Sequence, residues 1–342
     1  MEEVLEGKAM RYVGRLAPSP TGALHLGNVR TFMIAWLRAR SQGGKVIFRM
    51  EDLDHPKDKP GAAAQAVEDL RWLGFDWDEE YVQSERKDIY REALESLGDL
   101  VYPCVCSRRD VESAQSAPHA GEQLYYPGTC RGRFKSWDAA KEFLAASRVS
   151  GDPRDPSGSS SSRTPCWRFR VSDNTAVSFN DAFAGCYEQN VSKVLGDFPL
   201  ARDEFGAGYT LACTVDDLLM GVTEVVRGDD LLPATPAQIL LADALRHSPI
   251  RQFAHSSIPV FPYSHISYLH VPLVVGRDGK RLAKRHGDTR IVTFREQGKM
   301  PEEILGILAA SCGWAEKGEC VTLRDLLPRF DLTTIPHEPF MI

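Results

Sequence analysis

Apolar residues recur at helical spacing between Val29 and Leu37. Val29, Phe32, Met33, Trp36 and Leu37 stand at i, i+3, i+4, i+7 and i+8, which predicts a helix with one buried face. Asn28 precedes this face as the expected N-cap, and Gly43-Gly44 closes the helix. Short apolar runs flank it. Tyr12 to Ala17 reads as a first strand, and Val46-Ile47-Phe48-Arg49-Met50 as a buried second strand that delivers Glu51, Asp52 and Asp54 at its carboxyl end. A second helical face carries Ala63, Ala66, Val67, Leu70 and Leu73 and stops at Gly74. Strand, helix, strand, helix in this order predicts an α/β fold with a doubly wound parallel sheet. Ligands of such sheets sit beyond the carboxyl ends of the strands.

The pattern changes near residue 102. Cys104-Val105-Cys106 leads through a polar stretch to Tyr125-Tyr126-Pro127-Gly128-Thr129-Cys130, a helix is predicted from about Trp137 to Ala146, and Gly151 to Pro165 is too polar to bury. Sheet-like runs return at Tyr209 to Val215 and Val222 to Val226, carrying Asp216-Asp217 and Arg227-Gly228-Asp229-Asp230 at their ends. Thr235-Pro236 opens a helix with proline at its first position. Leu269 to Val275 is a further strand, and helices are predicted over about 301–312 and 323–327. These changes divide the chain into a first half of a catalytic domain (1–102), an insertion (103–192) with a loop over 151–165, a second half (193–300) and a short helical tail (301–342).

With 342 residues, 43% of them hydrophobic and 26% charged, the chain has the composition of a globular protein with a sizeable core. The net charge of −6 excludes bulk attraction to nucleic acid, so any such binding needs a local basic patch. The acidic start, Met1 to Glu6, has no signal-peptide character, and no apolar run reaches the roughly 20 residues of a membrane span. Eight cysteines then read as reduced thiols or metal ligands, and the expected location is the cytoplasm, without a membrane partner.

Three groups converge on one edge of the predicted sheet. Pro18 to Asn28 is a strand-to-helix turn with a His25-x-Gly27 pair, a corner suited to holding phosphate. Glu51 offers a carboxylate to an ammonium, while Arg15 and Arg227 suit an acidic substrate because guanidinium grips carboxylate bidentately. The interval Arg277–Arg290 carries six Lys/Arg against two Asp, the strongest local positive charge. Such a set supports a nucleotide-using enzyme.

Arg15-Leu16-Ala17-Pro18-Ser19-Pro20-Thr21-Gly22 with His25-Leu26-Gly27-Asn28 resembles the first signature of class I glutamyl-tRNA synthetases. Arg281-Leu282-Ala283-Lys284 is similar to the second, lysine-bearing signature, with Ala283 where serine is usual. Tyr209, Val215-Asp216-Asp217 and Gly221 to Gly228 fit the same family over about 15–315. The resemblance implies a Rossmann-like catalytic domain that uses ATP with Mg²⁺. It implies a glutamate pocket of Arg15, Leu16, Ala17, Pro18, Ser19, Glu51, Tyr209 and Arg227. It also implies an ATP site of His25, Gly27, Asn28 and Lys284, with His25 and Lys284 acting in catalysis.

The family continues into a helical anticodon-binding domain, whereas this sequence stops 58 residues after Lys284, fewer than the roughly 100 of an ordinary domain. That length, with Cys104-x-Cys106 and Tyr126-x3-Cys130, is similar to the truncated branch that attaches glutamate to queuosine at the wobble position of tRNA(Asp). One structural Zn²⁺ is expected on Cys104, Cys106, Tyr126 and Cys130, with His119 or Tyr125 as alternatives to Tyr126 and three buried thiols without metal as the plain reading. A monomer is the expected assembly. The rival functions are charging of a tRNA 3′ end, a non-catalytic RNA-binding module derived from a synthetase, and a nucleotidyltransferase acting on a small substrate.

Overall fold

Strand β1 (Val13–Leu16) and strand β2 (Lys45–Met50) pair in parallel, with Val13 opposite Lys45 and Leu16 opposite Phe48. Parallel neighbours need a crossover, which helix α1 (Leu26–Ser41) supplies. Helix α2 (Ala62–Trp72) is the next crossover, and β3 (Glu79–Val82) pairs with the far edge of β2. The structure, a computed structural model, describes residues 12–53, 58–114, 124–149, 163–204, 206–248, 266–279, 282 and 288–342. Asp54, His119, most of the 151–165 loop, and Ala283 and Lys284 therefore lie outside the described residues.

After α3 (Lys87–Ser96) come β4 (Val101–Cys104), α4 (Arg108–Ala114), α5 (Trp137–Val149) and β5 (Cys166–Phe169). A hairpin of β6 (Ala176–Asp181) and β7 (Gly185–Asn190) follows, then the single turn α6 (Val191–Val194) and β8 (Phe198–Ala201). β4, β5 and β8 form an antiparallel sheet of their own, whose last strand comes from beyond residue 192.

Helix α7 (Tyr209–Leu219) and β9 (Glu224–Gly228) lead to α8 (Thr235–His247), β10 (Ser267–Val271) and β11 (Val274–Val275). β9 and β10 pair in parallel, and β10 meets β6 on its other edge. The tail holds α9 (Ile291–Glu296), α10 (Pro301–Ala310), α11 (Leu323–Leu326) and β12 (Phe340–Met341), which pairs with β11.

The parallel sheet of β1, β2 and β3 and the mixed sheet of β6, β7, β9 and β10 meet at β1 and β9. Thr223 N donates to Val13 O at 2.9 Å, Val13 N donates to Thr223 Oγ1 at 2.9 Å, and Arg15 Nη1 donates to Val226 O at 2.8 Å. The strands thus run β3-β2-β1, then β9-β10-β6-β7, and the direction of winding reverses between β1 and β9. In α/β sheets the crevice at such a reversal, beyond the carboxyl ends, is where ligands bind. The tail is no separate body, because Ile304, Leu305 and Leu308 share one hydrophobic core with Val29, Met33 and Leu37 of α1.

Two local expectations are corrected. Tyr209 to Val215 is not a strand but the first part of α7, so Asp216 and Asp217 sit within a helix rather than at a strand end. Eight of its eleven residues are buried, including both aspartates, and a helix enclosed on most sides lacks the polar stripe that marks helical periodicity. The N-cap of α1 is His25, three residues before Asn28.

Asp216 ties α7 to the α3 region. Its buried carboxylate accepts from Gln83 Nε2 at 3.0 Å, Arg86 Nε at 2.9 Å and Tyr90 OH at 2.8 Å. Asp216→Asn removes the charge that pairs with Arg86 and should cost about 3 kcal/mol. Urea unfolding checks this, and an unmoved midpoint would contradict it.

Candidate active site

The turn after β1 is fixed at both ends. Glu51 N donates to Pro18 O at 2.9 Å, and Lys59 N donates to Pro20 O at 3.0 Å, so the Pro-rich turn lies against the carboxyl end of β2. Leu16 is fully buried in the core, so its side chain supports the turn from below. Pro18 is also buried and Ala17 half-buried, while Ser19 is exposed on the turn.

At the start of α1, Gly27 N donates to His25 Nδ1 at 3.1 Å, and Asn28 Oδ1 accepts from His25 N at 3.2 Å. Because Nδ1 accepts, Nε2 is the nitrogen that carries hydrogen, and it can donate to a phosphate oxygen at a helix N-terminus. A Cβ at Gly27 would stand 3.0 Å from His25 Cε1, so the histidine ring lies directly over the bare glycine backbone. The chain beyond the basic loop returns to this corner: Leu26 N donates to Thr289 O at 3.1 Å and Ile291 N to Leu24 O at 2.9 Å.

Across the reversal point, Arg227 on β9 and Tyr209 at the start of α7 meet, with Arg227 Nη1 donating to the Tyr209 hydroxyl at 3.4 Å. Although 42% of Tyr209 reaches solvent, its hydroxyl end is packed among charged groups. Burial and the nearby Cys213 push the phenol pKa up, Arg227 and Arg15 pull it down, and Glu51 adds to the rise. β1, the end of β2, α7 and β9 therefore bring Arg15, Glu51, Tyr209 and Arg227 to one place.

Sequence reasoning missed the groups that hold these four. Glu51 Oε1 accepts from Arg49 Nη2 at 3.0 Å and from the Cys213 thiol at 3.1 Å. Arg49 is fully buried, and its Nη1 donates to Asp217 Oδ1 at 2.7 Å, an oxygen that also lies 3.6 Å from Arg15 Nε. Burial disfavours the Arg49 cation, but Asp217 and Glu51 outweigh it and raise its pKa. Arg227 is held by Thr235 and His270. The signal available in the sequence was a charged or polar side chain inside an apolar run: Arg49 within Val46–Met50, and His270 within Leu269–Val275.

In the insertion, Cys104, Cys106 and Cys130 present sulfurs that all lie within 4.8 Å of one another. The Tyr126 hydroxyl stands 3.2 Å from Cys104 Sγ and 3.7 Å from Cys106 Sγ, and Cys106 Sγ is 3.6 Å from Cys130 Sγ. Arg168 Nε donates to Cys104 Sγ at 3.2 Å, an arrangement that favours a thiolate. Tyr126 is placed by Gly196, which has φ of +62° and whose Cβ would fall 2.0 Å from Tyr126 O. No other residue type fits there.

The family model for the catalytic domain of class I tRNA synthetases (E and Q) matches residues 12–341. The chain belongs to this family. It is 43% identical to a glutamyl-Q tRNA(Asp) synthetase of Rhodopirellula baltica, over 96% of each chain. It is 42% identical to another of Symbiobacterium thermophilum, over 96% of this chain and 95% of the relative. A glutamate–tRNA ligase of Aquifex aeolicus is 36% identical and matches 95% of this chain, which spans 63% of that protein. Among solved structures, a glutamate tRNA ligase from Elizabethkingia meningosepticum, in complex with its amino acid, superposes with a TM-score of 0.72. It is 26% identical over 97% of this chain and 67% of the other.

The match spans the parallel strands, the antiparallel sheet and the thiol cluster alike. Within this family member, the capping role of His25 can be tested by itself. His25→Ala should lower stability by about 1 kcal/mol, while His25→Asn, which keeps a capping acceptor, should stay within a few tenths of the unmodified protein. Chemical denaturation of the three proteins decides this, and equal stabilities would exclude the capping role.

Proposed function

We propose that this class I synthetase activates glutamate with ATP and transfers the glutamyl group to queuosine at the wobble position of tRNA(Asp). The observation that carries the activation step is the group at the sheet reversal, where two buried arginines, Arg15 and Arg227, and the carboxylate Glu51 surround Tyr209. The guanidinium groups suit the two carboxylates of glutamate, Glu51 suits its ammonium, and Tyr209 and Ser19 add hydrogen bonds at the open side. The choice of acceptor draws support from the relatives named glutamyl-Q tRNA(Asp) synthetase, which match this chain over 95–96% of their length.

In the first step a glutamate carboxylate oxygen attacks the α-phosphorus of ATP·Mg²⁺. The new P–O bond forms as the bond to the β-phosphate oxygen breaks, giving glutamyl-adenylate and pyrophosphate. His25, Gly27 and Asn28 at the α1 N-terminus hold the nucleotide, and Lys284 neutralises the departing pyrophosphate. In the second step a nucleophile of queuosine attacks the glutamyl carbonyl carbon and AMP leaves. Catalysis is then positioning and charge stabilisation, with no covalent protein intermediate.

The thiol cluster fits a structural Zn²⁺ held by Cys104, Cys106, Cys130 and Tyr126. Tetrahedral Zn–S bonds of about 2.3 Å place sulfurs about 3.8 Å apart, close to the 3.6 Å between Cys106 and Cys130. Bound zinc would lock the ends of β4 and the 126–130 turn together.

The deciding experiment is glutamate-dependent ATP–pyrophosphate exchange, then transfer of labelled glutamate to tRNA(Asp) with and without queuosine. Exchange without transfer to the queuosine-bearing tRNA would overturn the acceptor. Lys284→Ala should lower kcat for exchange about 100-fold or more while the glutamate KM moves little; a raised KM at unchanged kcat would contradict the role given to that lysine. Metal analysis should find about one Zn²⁺ per chain and loss of it in Cys130→Ala. A metal-free unmodified protein would refute the zinc site.

A further inference from the structure

Behind Arg227 runs a chain of buried polar groups that the proposed reaction does not use. Arg227 Nε donates to His270 Nε2 at 3.0 Å, and Arg227 Nη2 donates to Thr235 Oγ1 at 2.7 Å. On the far side of the ring, His270 Nδ1 lies 2.6 Å from Asp181 Oδ2, and both side chains are fully buried. The carboxylate is itself fixed, since its Oδ1 accepts from Phe183 N at 3.0 Å and Ala184 N at 2.8 Å. Three elements thus converge: β6 supplies Asp181, β10 supplies His270 and β9 supplies Arg227.

The direction of each bond is set. An arginine Nε–H can only donate, so His270 Nε2 must accept and the ring proton must sit on Nδ1, facing Asp181. Burial, with help from Arg227, keeps the ring in its neutral form, although Asp181 favours the charged one. Burial alone would raise the Asp181 pKa, but the hydrogen bonds from His270, Ala184 and Phe183 outweigh it and the carboxylate stays ionised. With Nε and one edge of Nη2 committed to His270 and Thr235, the plane of the guanidinium is fixed, and its Nη1 side is turned to Tyr209 and the pocket.

We propose that Asp181 and His270 are positioning residues for glutamate recognition: Asp181 selects the His270 tautomer, and His270 aims the guanidinium of Arg227 at a substrate carboxylate. This rests on the reading of Arg227 as a glutamate ligand. Asp181→Asn tests it with little change of shape. Three backbone donors, Phe183 N, Ala184 N and His270 N, lie on Oδ1 and require an oxygen there, so the introduced amide NH₂ faces His270 Nδ1 and drives the proton to Nε2, with loss of the 3.2 Å contact from His270 N to Oδ2. Two N–H groups, Nε2–H and Arg227 Nε–H, then oppose each other.

Arg227→Ala comes first. It should raise the glutamate KM in ATP–pyrophosphate exchange about 30-fold or more and leave the ATP KM within about twofold. If the glutamate KM does not move, the pocket reading itself fails. Given that rise, Asp181→Asn should raise the glutamate KM about tenfold or more at constant ATP KM. The double variant should be no worse than Arg227→Ala alone, because both act through the same group. Additive effects, or an equal rise in both KM values, would mean a merely structural role and would overturn the positioning assignment. Nitrogen NMR of histidine-labelled unmodified protein supplies a test that does not depend on the variant folding. His270 must carry its proton on Nδ1, and a proton on Nε2 would refute the inference.

Discussion

Everything at this site depends on keeping arginine side chains charged, buried and correctly aimed at the seam where β1 meets β9. An unpaired buried guanidinium is costly, and removing one partner of a buried pair costs several kcal/mol. The fold answers with carboxylates from elsewhere in the chain. Asp217 on α7 faces both Arg49 and Arg15, and Asp216 on the same helix holds Arg86. These acids neutralise buried guanidinium groups, that of Arg15 included. Position along the helix divides the work: Tyr209, on its first turn, meets Arg227 at the pocket, while the aspartates near its end brace the floor. Arg49, itself fully buried, then passes the bracing on to Glu51.

Much of the first half was legible from periodicity alone. The α1 face from Val29 to Leu37 and the β2 run from Val46 to Met50 formed as their patterns imply, because each has one buried direction and a clear terminator. The family resemblance is matched by the comparisons, and the convergence of Arg15, Glu51, Tyr209 and Arg227 at the sheet reversal is visible in the fold. α7 departs from the strand that its pattern suggests because a helix surrounded by protein buries even its polar residues, Thr214, Asp216 and Asp217, and so shows no polar stripe. Asn28 was misplaced because it serves a cap as the third helical residue rather than as the cap itself. Asp181, His270 and Thr235 could not be read from spacing. Asp181 and His270 are separated by 89 residues and brought together only by the pairing of β6 with β10. Contacts of that kind leave no local trace beyond a polar residue in an apolar strand.

The antiparallel sheet of β4, β5 and β8 follows a different logic from the main sheet. Its thiol cluster is fastened to the rest through Tyr126, whose N–H donates to Leu195 O at 2.9 Å and whose ring carries the Arg168 guanidinium at 3.8 Å. Arg168 also reaches Asp197 O and Cys104 Sγ, so one arginine joins strand, turn and sulfur. Among the described residues the thiols pack with Tyr102, Val111 and Tyr126 in a small core of their own, which Arg168 ties to the neighbouring strand and turn.

The pairing of β12 with β11 has a consequence for the first helix. β11 is closed on one edge by Phe340 and Met341, and a Cβ at Gly27 would stand 3.5 Å from Val274 Cβ, so this small ribbon lies against the start of α1. Leu26 N and Leu24 O are fastened from the same part of the chain, to Thr289 O and Ile291 N. The last strand thus buttresses the opening of a helix more than 300 residues earlier, and the two ends of the described fold are mechanically one unit.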